Sequence, residues 1–359
     1  MKLLPTLRLS LRALVLSLAL GATSATACNA PLGVLPDAAP QPASTTHTLA
    51  AGASHTCALQ QQGLFCWGSN LAGELGTGSV GDPSGPVAAA AVGRDVVEVA
   101  ANFQQTCVRR ASGRVDCWGS NEEGGVGDGT EVFRAVPTAV VGVEDAAEIA
   151  AGGGSACVRR RSGTVSCWGA NGLGHGSLVP VDIVGLADVV ELRTSQPGVR
   201  YCARTGSGDV FCWILGDTAT TAPALVPALA GTHGLALELS SVCGLTAANQ
   251  VLCVDYDASE GTLLEGVTDA VELAGTALFV CWRTSRGDVG CSDPNDLIAG
   301  HAGDPRLDFH IDQPAVELAG GQVHFCARVQ DGGVECFNDP WPGTAGVDPK
   351  LIRVAGLPL

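Results

Sequence analysis

Apolar positions in this sequence fall in short runs, rich in β-branched residues and interrupted by glycine. They do not keep the 3.6-residue spacing of an amphipathic helix, so the pattern predicts strands and turns. One run recurs as a connector leading into a strand: Val92 to Glu98, then Val141 to Glu148, Val184 to Glu191 and Gly266 to Glu272.

Cysteine pairs recur with it. Cys107 and Cys117, Cys157 and Cys167, Cys202 and Cys212, Cys243 and Cys253, Cys281 and Cys291, and Cys326 and Cys336 lie ten positions apart, and Cys57 and Cys66 nine apart. Each pair brackets a tight turn. In the second copy a loop of Ala111, Ser112 and Gly113 puts glycine where φ must be positive, and counting outward sets Cys107 opposite Cys117. Facing residues on antiparallel strands are about 4.5–5.5 Å apart at Cα, within disulfide reach, so seven disulfides are expected. Zinc fits poorly, because structural sites use Cys-x(2–4)-Cys spacing and four ligands. The residue missing from copy one predicts a shorter turn around Gln62 and Gly63.

Successive first cysteines are 50, 50, 45, 41, 38 and 45 residues apart. Such a period, built of short strands, is the mark of a propeller. The expected fold is all-β: a seven-bladed β-propeller of four-stranded antiparallel blades. The sequence ends with Val354 to Leu357, the start of the connector, and begins its repeats with Thr46 to Leu49, the part the end lacks. This predicts a ring closed by pairing of the N- and C-terminal strands. Trp67, Trp118, Trp168 and Trp213 share one repeat position and read as blade packing.

Residues 1–27 read as a secretory signal: Lys2, Arg8 and Arg12, then a largely apolar run from Ala13 to Leu20, then small residues. Cys28 is the cysteine left over. With Ala25 to Ala27 before it, it resembles a bacterial lipobox and is the candidate lipidation site, a free or cleaved cysteine being the alternative. Residues 28–45, rich in Pro, Ala, Ser and Thr, suit a semi-extended tether, and residues 46–359 form the propeller. The expected location is therefore the bacterial cell envelope, by a lipid anchor at Cys28, or the extracellular space. No later segment has 18 uninterrupted apolar residues, so no other membrane contact is expected.

The formal net charge is −16, and beyond the signal 17 basic residues face 36 acidic ones. Phosphate binding needs clustered cations, so no nucleic-acid partner is expected. Arg109 and Arg110, and Arg159 to Arg161, read as solvated residues beside hairpin turns.

At this point the residues carry a resemblance. Ala50, Ala51, Gly52, His55, Thr56 and Cys57, followed by Cys66, Trp67, Gly68, Asn70, Gly73, Leu75 and Gly76, resemble the regulator of chromosome condensation repeat. Copies two and three match through Cys117, Trp118, Gly119 and Asn121, and through Cys167, Trp168, Gly169 and Asn171; copies four to seven keep little beyond the cysteines. The resemblance implies seven blades. It also names a founder that acts on chromatin and a small GTPase, a secreted β-lactamase inhibitor, and plant photoreceptors with clustered tryptophans. An acidic, exported protein fits the first poorly, and the tryptophans here are spread over separate repeats.

No P-loop, dinucleotide fingerprint, His-Glu-x-x-His or Gly-x-Ser-x-Gly occurs, so no catalytic residue and no cofactor are assigned. Asp304, Asp308, His310 and Asp312 in the segment 301–313 could ligate a metal, as could Asn121 to Asp128, but neither spacing matches a known motif. The reading is a non-enzymatic envelope or secreted binding protein, monomeric, with a protein partner, one form being an inhibitor of a secreted enzyme. The alternative is a hydrolase or lyase with its site at the central channel; a nucleotide-exchange regulator rests on family name only.

Overall fold

The computed structural model describes residues 47–81, 83, 85–89, 92–169, 176–195, 200–215, 222–256, 258–292, 306–322, 324–337 and 351–359, with 306–308 described by their backbone alone. Seven four-stranded antiparallel sheets succeed one another in sequence, spanning 49–88, 96–139, 146–182, 189–225, 233–263, 270–309 and 315–353. These are blades 1 to 7 of a β-propeller. In each blade the strands run outward in sequence order, from an inner strand to an outer one that is two residues long in blades 1, 4, 5 and 7 and six in blades 2 and 3.

Local sequence sets the hairpins. In blade 2, Gln105–Arg110 turns through Gly113, at φ +98°, into Val115–Gly119. Cys107 then faces Cys117 as expected. In blade 1 the register runs to Gln60 opposite Gly63, the tighter turn that the missing residue requires. All seven cysteine pairs are disulfides, with Cα atoms 3.9–4.1 Å apart. The separation is below the expected span and short even of the narrow kind of cross-strand pair, at about 4.5 Å.

The core lies between blades. Ala100 of blade 2 packs with Ile149, Ala156 and Trp168 of blade 3, and the same layer repeats around the ring. Trp118 and Trp168 are buried, and their indole N–H groups donate across to the preceding blade, to the Glu74 carbonyl at 2.9 Å and the Gly125 carbonyl at 2.8 Å. Gly76 has φ +67°, and a Cβ there would sit 2.7 Å from Trp118 Nε1, so the motif glycine makes room for the neighbour's indole.

Ring closure differs from the expectation. The N-terminal strand Leu49–Ala51 is the inner strand of blade 1, whereas Ile352–Arg353 is the outer strand of blade 7; the two belong to separate sheets. Each repeat supplies all four strands of its own blade, so none is left to exchange. The complementary ends still meet, by packing. Val354 and Leu357 lie against Leu49, Ala51 and Ala58, where the connector of a further repeat would run.

Candidate site: the channel and the two propeller faces

The start of each inner strand carries a repeated side chain. It is Glu98, Glu148, Glu191, Glu272 and Glu317 in blades 2, 3, 4, 6 and 7. Each carboxylate pairs with an arginine on the next strand of its own blade: Arg109 at 2.5 Å, Arg159 at 2.9 Å, Arg204 at 3.0 Å, Arg283 at 2.7 Å and Arg328 at 3.1 Å. Each also accepts from the inner strand of the following blade. The donors are the backbone N–H groups of Ile149, Leu192, Leu235, Leu318 and Leu49. The carboxylates are therefore clamps between blades. Blades 1 and 5 break the series together on both sides of the pair: Thr48 lies beside Leu59, and Gly234 beside Leu245.

This arrangement sets the electrostatics. Burial, and then the neighbouring Glu148, push Glu98 up to about 8. Burial also raises Glu272. Burial pulls Glu191 upward too, but Arg193, Arg204 and the Leu235 amide outweigh it and hold that carboxyl below its ordinary range.

Opposite the first cysteine of each blade, the inner strand bears Ala50, Ala100, Ala150, Ala236, Ala274 and Ala319, and in blade 4 alone Arg193. Arg193 lies at the Glu-ring end of the central channel, donates to Glu148 and to the Leu192 carbonyl, and sits 3.3 Å from Glu191. His47 lines the same channel, and burial with the adjacent Arg193 holds its pKa down at about 3. The channel cavity, about 130 Å³, is otherwise walled by Leu, Ala, Val, Ile and Gly, with Thr194 the one further polar side chain in its lining. Carboxylates and a histidine thus converge at this mouth, and the carboxylates Glu148 and Glu191 are held by arginines and by backbone amides of the following blade.

The far mouth carries a second buried polar ring that spans blade seams. His324 Nε2 lies 2.7 Å from Thr56 Oγ1, His55 Nε2 lies 2.9 Å from Thr106 Oγ1, and Ser155 Oγ lies 2.8 Å from the Tyr201 hydroxyl. Burial depresses His55 to about 3 and His324 to about 4. This mouth opens on the face that bears the long loops between third and outer strands. Exposed apolar side chains stand on that face and its margin: Leu71, Phe103, Val132, Phe133 and Leu239. Arg200 lies there over the Tyr256 ring.

Of the basic spots beside the hairpins, Arg161 is exposed as expected, but the other four arginines are structural and not merely solvated. Arg109 and Arg159 are clamp partners; Arg110 bridges Asp95 and Asp116, and Arg160 reaches Asp145. The strand alternation that buries Glu98 also draws the arginine opposite it inward. Of the metal candidates, Asn121 staples its own loop, donating to the Thr130 and Val132 carbonyls, and Asp128 accepts from Thr130 and Arg134. In 301–313, Asp304 and the Asp308 side chain lie outside what is described; His310 is exposed, and the Asp312 N–H donates to Glu335. Arg306–Phe309 is the outer strand of blade 6, with Phe309 packed on Phe325 and Phe337. Cys28, the signal and the tether also lie outside the described residues.

The clamps were missed at the level of sequence, although a signal exists. A glutamate after each connector precedes an arginine by 11 residues in four blades and by 13 in blade 4.

The model of the regulator of chromosome condensation (RCC1) repeat matches residues 47–74 and 96–124, that is, within the first two copies. The fold is similar to Prp20p from Saccharomyces cerevisiae, characterised for its binding to Gsp1p and histones (16% identity, TM-score 0.66, covering 86% of this chain and 87% of that one). It is likewise similar to yeast Prp20 bound to Kap60 (15% identity, TM-score 0.65, 91% of each chain). The ectodomain of the Arabidopsis thaliana receptor kinase ACR4 is a more distant likeness (18% identity, TM-score 0.51, 81% of this chain and 97% of that one). The protein is thus a seven-bladed propeller whose first two blades carry matches to the RCC1 repeat.

Proposed function

We propose that this protein is a non-enzymatic interaction protein that binds another protein through the long-loop face of a disulfide-stapled propeller. The observation that carries this reading is a division of labour. The clamp carboxylates, the channel arginine and the mouth histidines are engaged in holding blades together, whereas Phe103, Leu239 and Leu71 stand exposed on the long-loop side. Loops on a rigid scaffold are the usual carriers of recognition. Prp20p, similar in fold, is a protein that binds proteins.

The compartment belongs to the same proposal. Residues 1–27 direct export from a bacterial cell, Cys28 carries a lipid, and 28–45 tether a monomeric propeller, 46–359, at the envelope; an inhibitor of a secreted enzyme is one form this takes. Seven disulfides support an oxidising compartment. Labelled fatty acid should enter the wild-type protein and not Cys28→Ser. For the partner, the full-length protein is offered to envelope and secreted proteins and the bound fraction quantified by mass spectrometry. One partner near equal stoichiometry supports the reading. An empty capture at low salt sinks it.

A further inference from the structure

The face between blades 4 and 5 holds a side-chain pair that the fold does not explain. Arg200 opens the strand Arg200–Thr205, and its guanidinium carbon lies 3.7 Å from the centroid of the Tyr256 ring. The ring is itself fixed by blade 5. The Tyr256 N–H donates to the Ser240 carbonyl at 3.1 Å, and its hydroxyl donates to the Glu238 carbonyl at 3.2 Å. The arginine is thus presented on a rigid platform.

Among the described arginines without a carboxylate partner, Arg94, Arg114 and Arg161 are exposed and Arg200 alone is half-buried. Arg109, Arg110, Arg134, Arg159, Arg160, Arg193, Arg204, Arg283 and Arg328 each pair with at least one carboxylate. Among the described residues none pairs with Arg200, in a protein with 36 acidic and 20 basic side chains. Burial lowers its pKa, and what lies beside it is the face of the neutral Tyr256 ring. A half-buried guanidinium loses hydration, and its donor fork matches a carboxylate in two parallel bonds. Leu239, exposed, stands on the turn between Glu238 and Ser240 that also holds the tyrosine. Arginine and aromatic anchors beside an apolar contact are the composition of binding hot spots.

We propose that Arg200, stacked on Tyr256, anchors a carboxylate of a protein partner, with Leu239 receiving the adjoining apolar side chain. The inference rests on the binding-protein reading above and names the chemistry of its partner. The net charge of −16 does not oppose a single local contact, since screening in physiological salt acts within about 8 Å. The carboxylate comes from an acidic side chain or from the C-terminus of a polypeptide, and the test separates the two.

The full-length, disulfide-bonded protein is used to select binders from a displayed library of random peptides with free C-termini. Binders are resynthesised with Asp and Glu changed to Asn and Gln, or with an amidated C-terminus. We expect one of these neutralisations to weaken binding about tenfold or more, and Arg200→Gln to weaken the parent peptide equally. The two changes combined should cost no more than either alone. Arg200→Lys, which keeps the charge but loses the planar fork, should fall between, and Arg94→Gln on the opposite face should change nothing. Binders that hold Arg200→Gln as tightly as wild type, or need no carboxylate, overturn the inference and leave the binding-protein reading standing. A library without binders overturns it too, and an empty capture of envelope proteins then removes the broader reading as well.

Discussion

Glu317 accepts hydrogen bonds from the backbone N–H of Thr48 at 2.6 Å and of Leu49 at 2.9 Å, from residues 269 and 268 positions earlier in the sequence. This is where the ring closes. Arg328 completes the joint, pairing with Glu317 at 3.1 Å and donating to the Thr48 and Leu59 carbonyls. Two sheets that share no strand are thus joined at this end by one carboxylate and one guanidinium, beside the apolar packing and the His324–Thr56 bond.

Glu317→Ala removes the acceptor of the Thr48 and Leu49 amides, while Arg328 keeps its bonds to two carbonyls. It should therefore cost about 1–3 kcal/mol, the range for leaving buried polar groups unsatisfied. Glu317→Gln, which keeps an acceptor, should cost less. Denaturant unfolding measures the loss. Hydrogen exchange localises it, with protection at the Leu49 amide falling before that of amides in blade 3. Unchanged exchange at Leu49 would contradict the role given to Glu317.

The disulfides should be closed to reagents in the native state. Their sulfurs lie in strands whose cysteines are at most 6% exposed. Thiol titration with reductant should release little at low denaturant and all fourteen thiols above the unfolding midpoint. Replacing Cys107 and Cys117 by alanine should lower stability by about 2–3 kcal/mol on the chain-entropy account of a ten-residue loop. Release of all fourteen thiols below the midpoint would refute this protection.

Acid should loosen the mouth seams. His55 and His324 are held neutral, at about 3 and 4 against an ordinary 6.5. The unfolded state thus binds more protons between those limits, and the histidine contribution, full above 6.5, is lost as pH falls toward 3 to 4. Each group contributes about 1.4 kcal/mol per pH unit of its shift. His324→Gln should flatten part of the slope of stability against pH in this window. An unaltered slope counts against the seam assignment.

Glu98 should act in the other direction. Its folded pKa, about 8, lies above its ordinary 4.5, so its contribution is full below 4.5 and lost as pH rises through 8. Glu98→Gln keeps the shape and should remove that alkaline loss, read as unfolding midpoints at pH 6 and pH 9.

The repeat, the seven bridges and the hairpin registers were legible because they are local. Cys107 and Cys117 are 10 residues apart, and a single turn with Gly113 at φ +98° decides their pairing. Trp118 and Trp168 could be assigned to packing for the same reason, since strand alternation points them inward. The strand exchange expected at the termini failed because similar ends show only that two segments fit one repeat. They do not show whether the fit is made by backbone pairing or by side-chain packing, as it is for Leu357 against Leu49. The rest took shape only when the ring formed. Glu148 meets Leu192 from 44 residues away and Arg193 from 45, and Glu317 meets Thr48 from 269. Residue order was enough to specify a blade, because a blade is built from chemistry within one hairpin. It was not enough to say which charges hold blades together and which, like Arg200, are left facing outward. Burial and partner choice depend on the neighbouring blade, and that neighbour is placed by the ring as a whole.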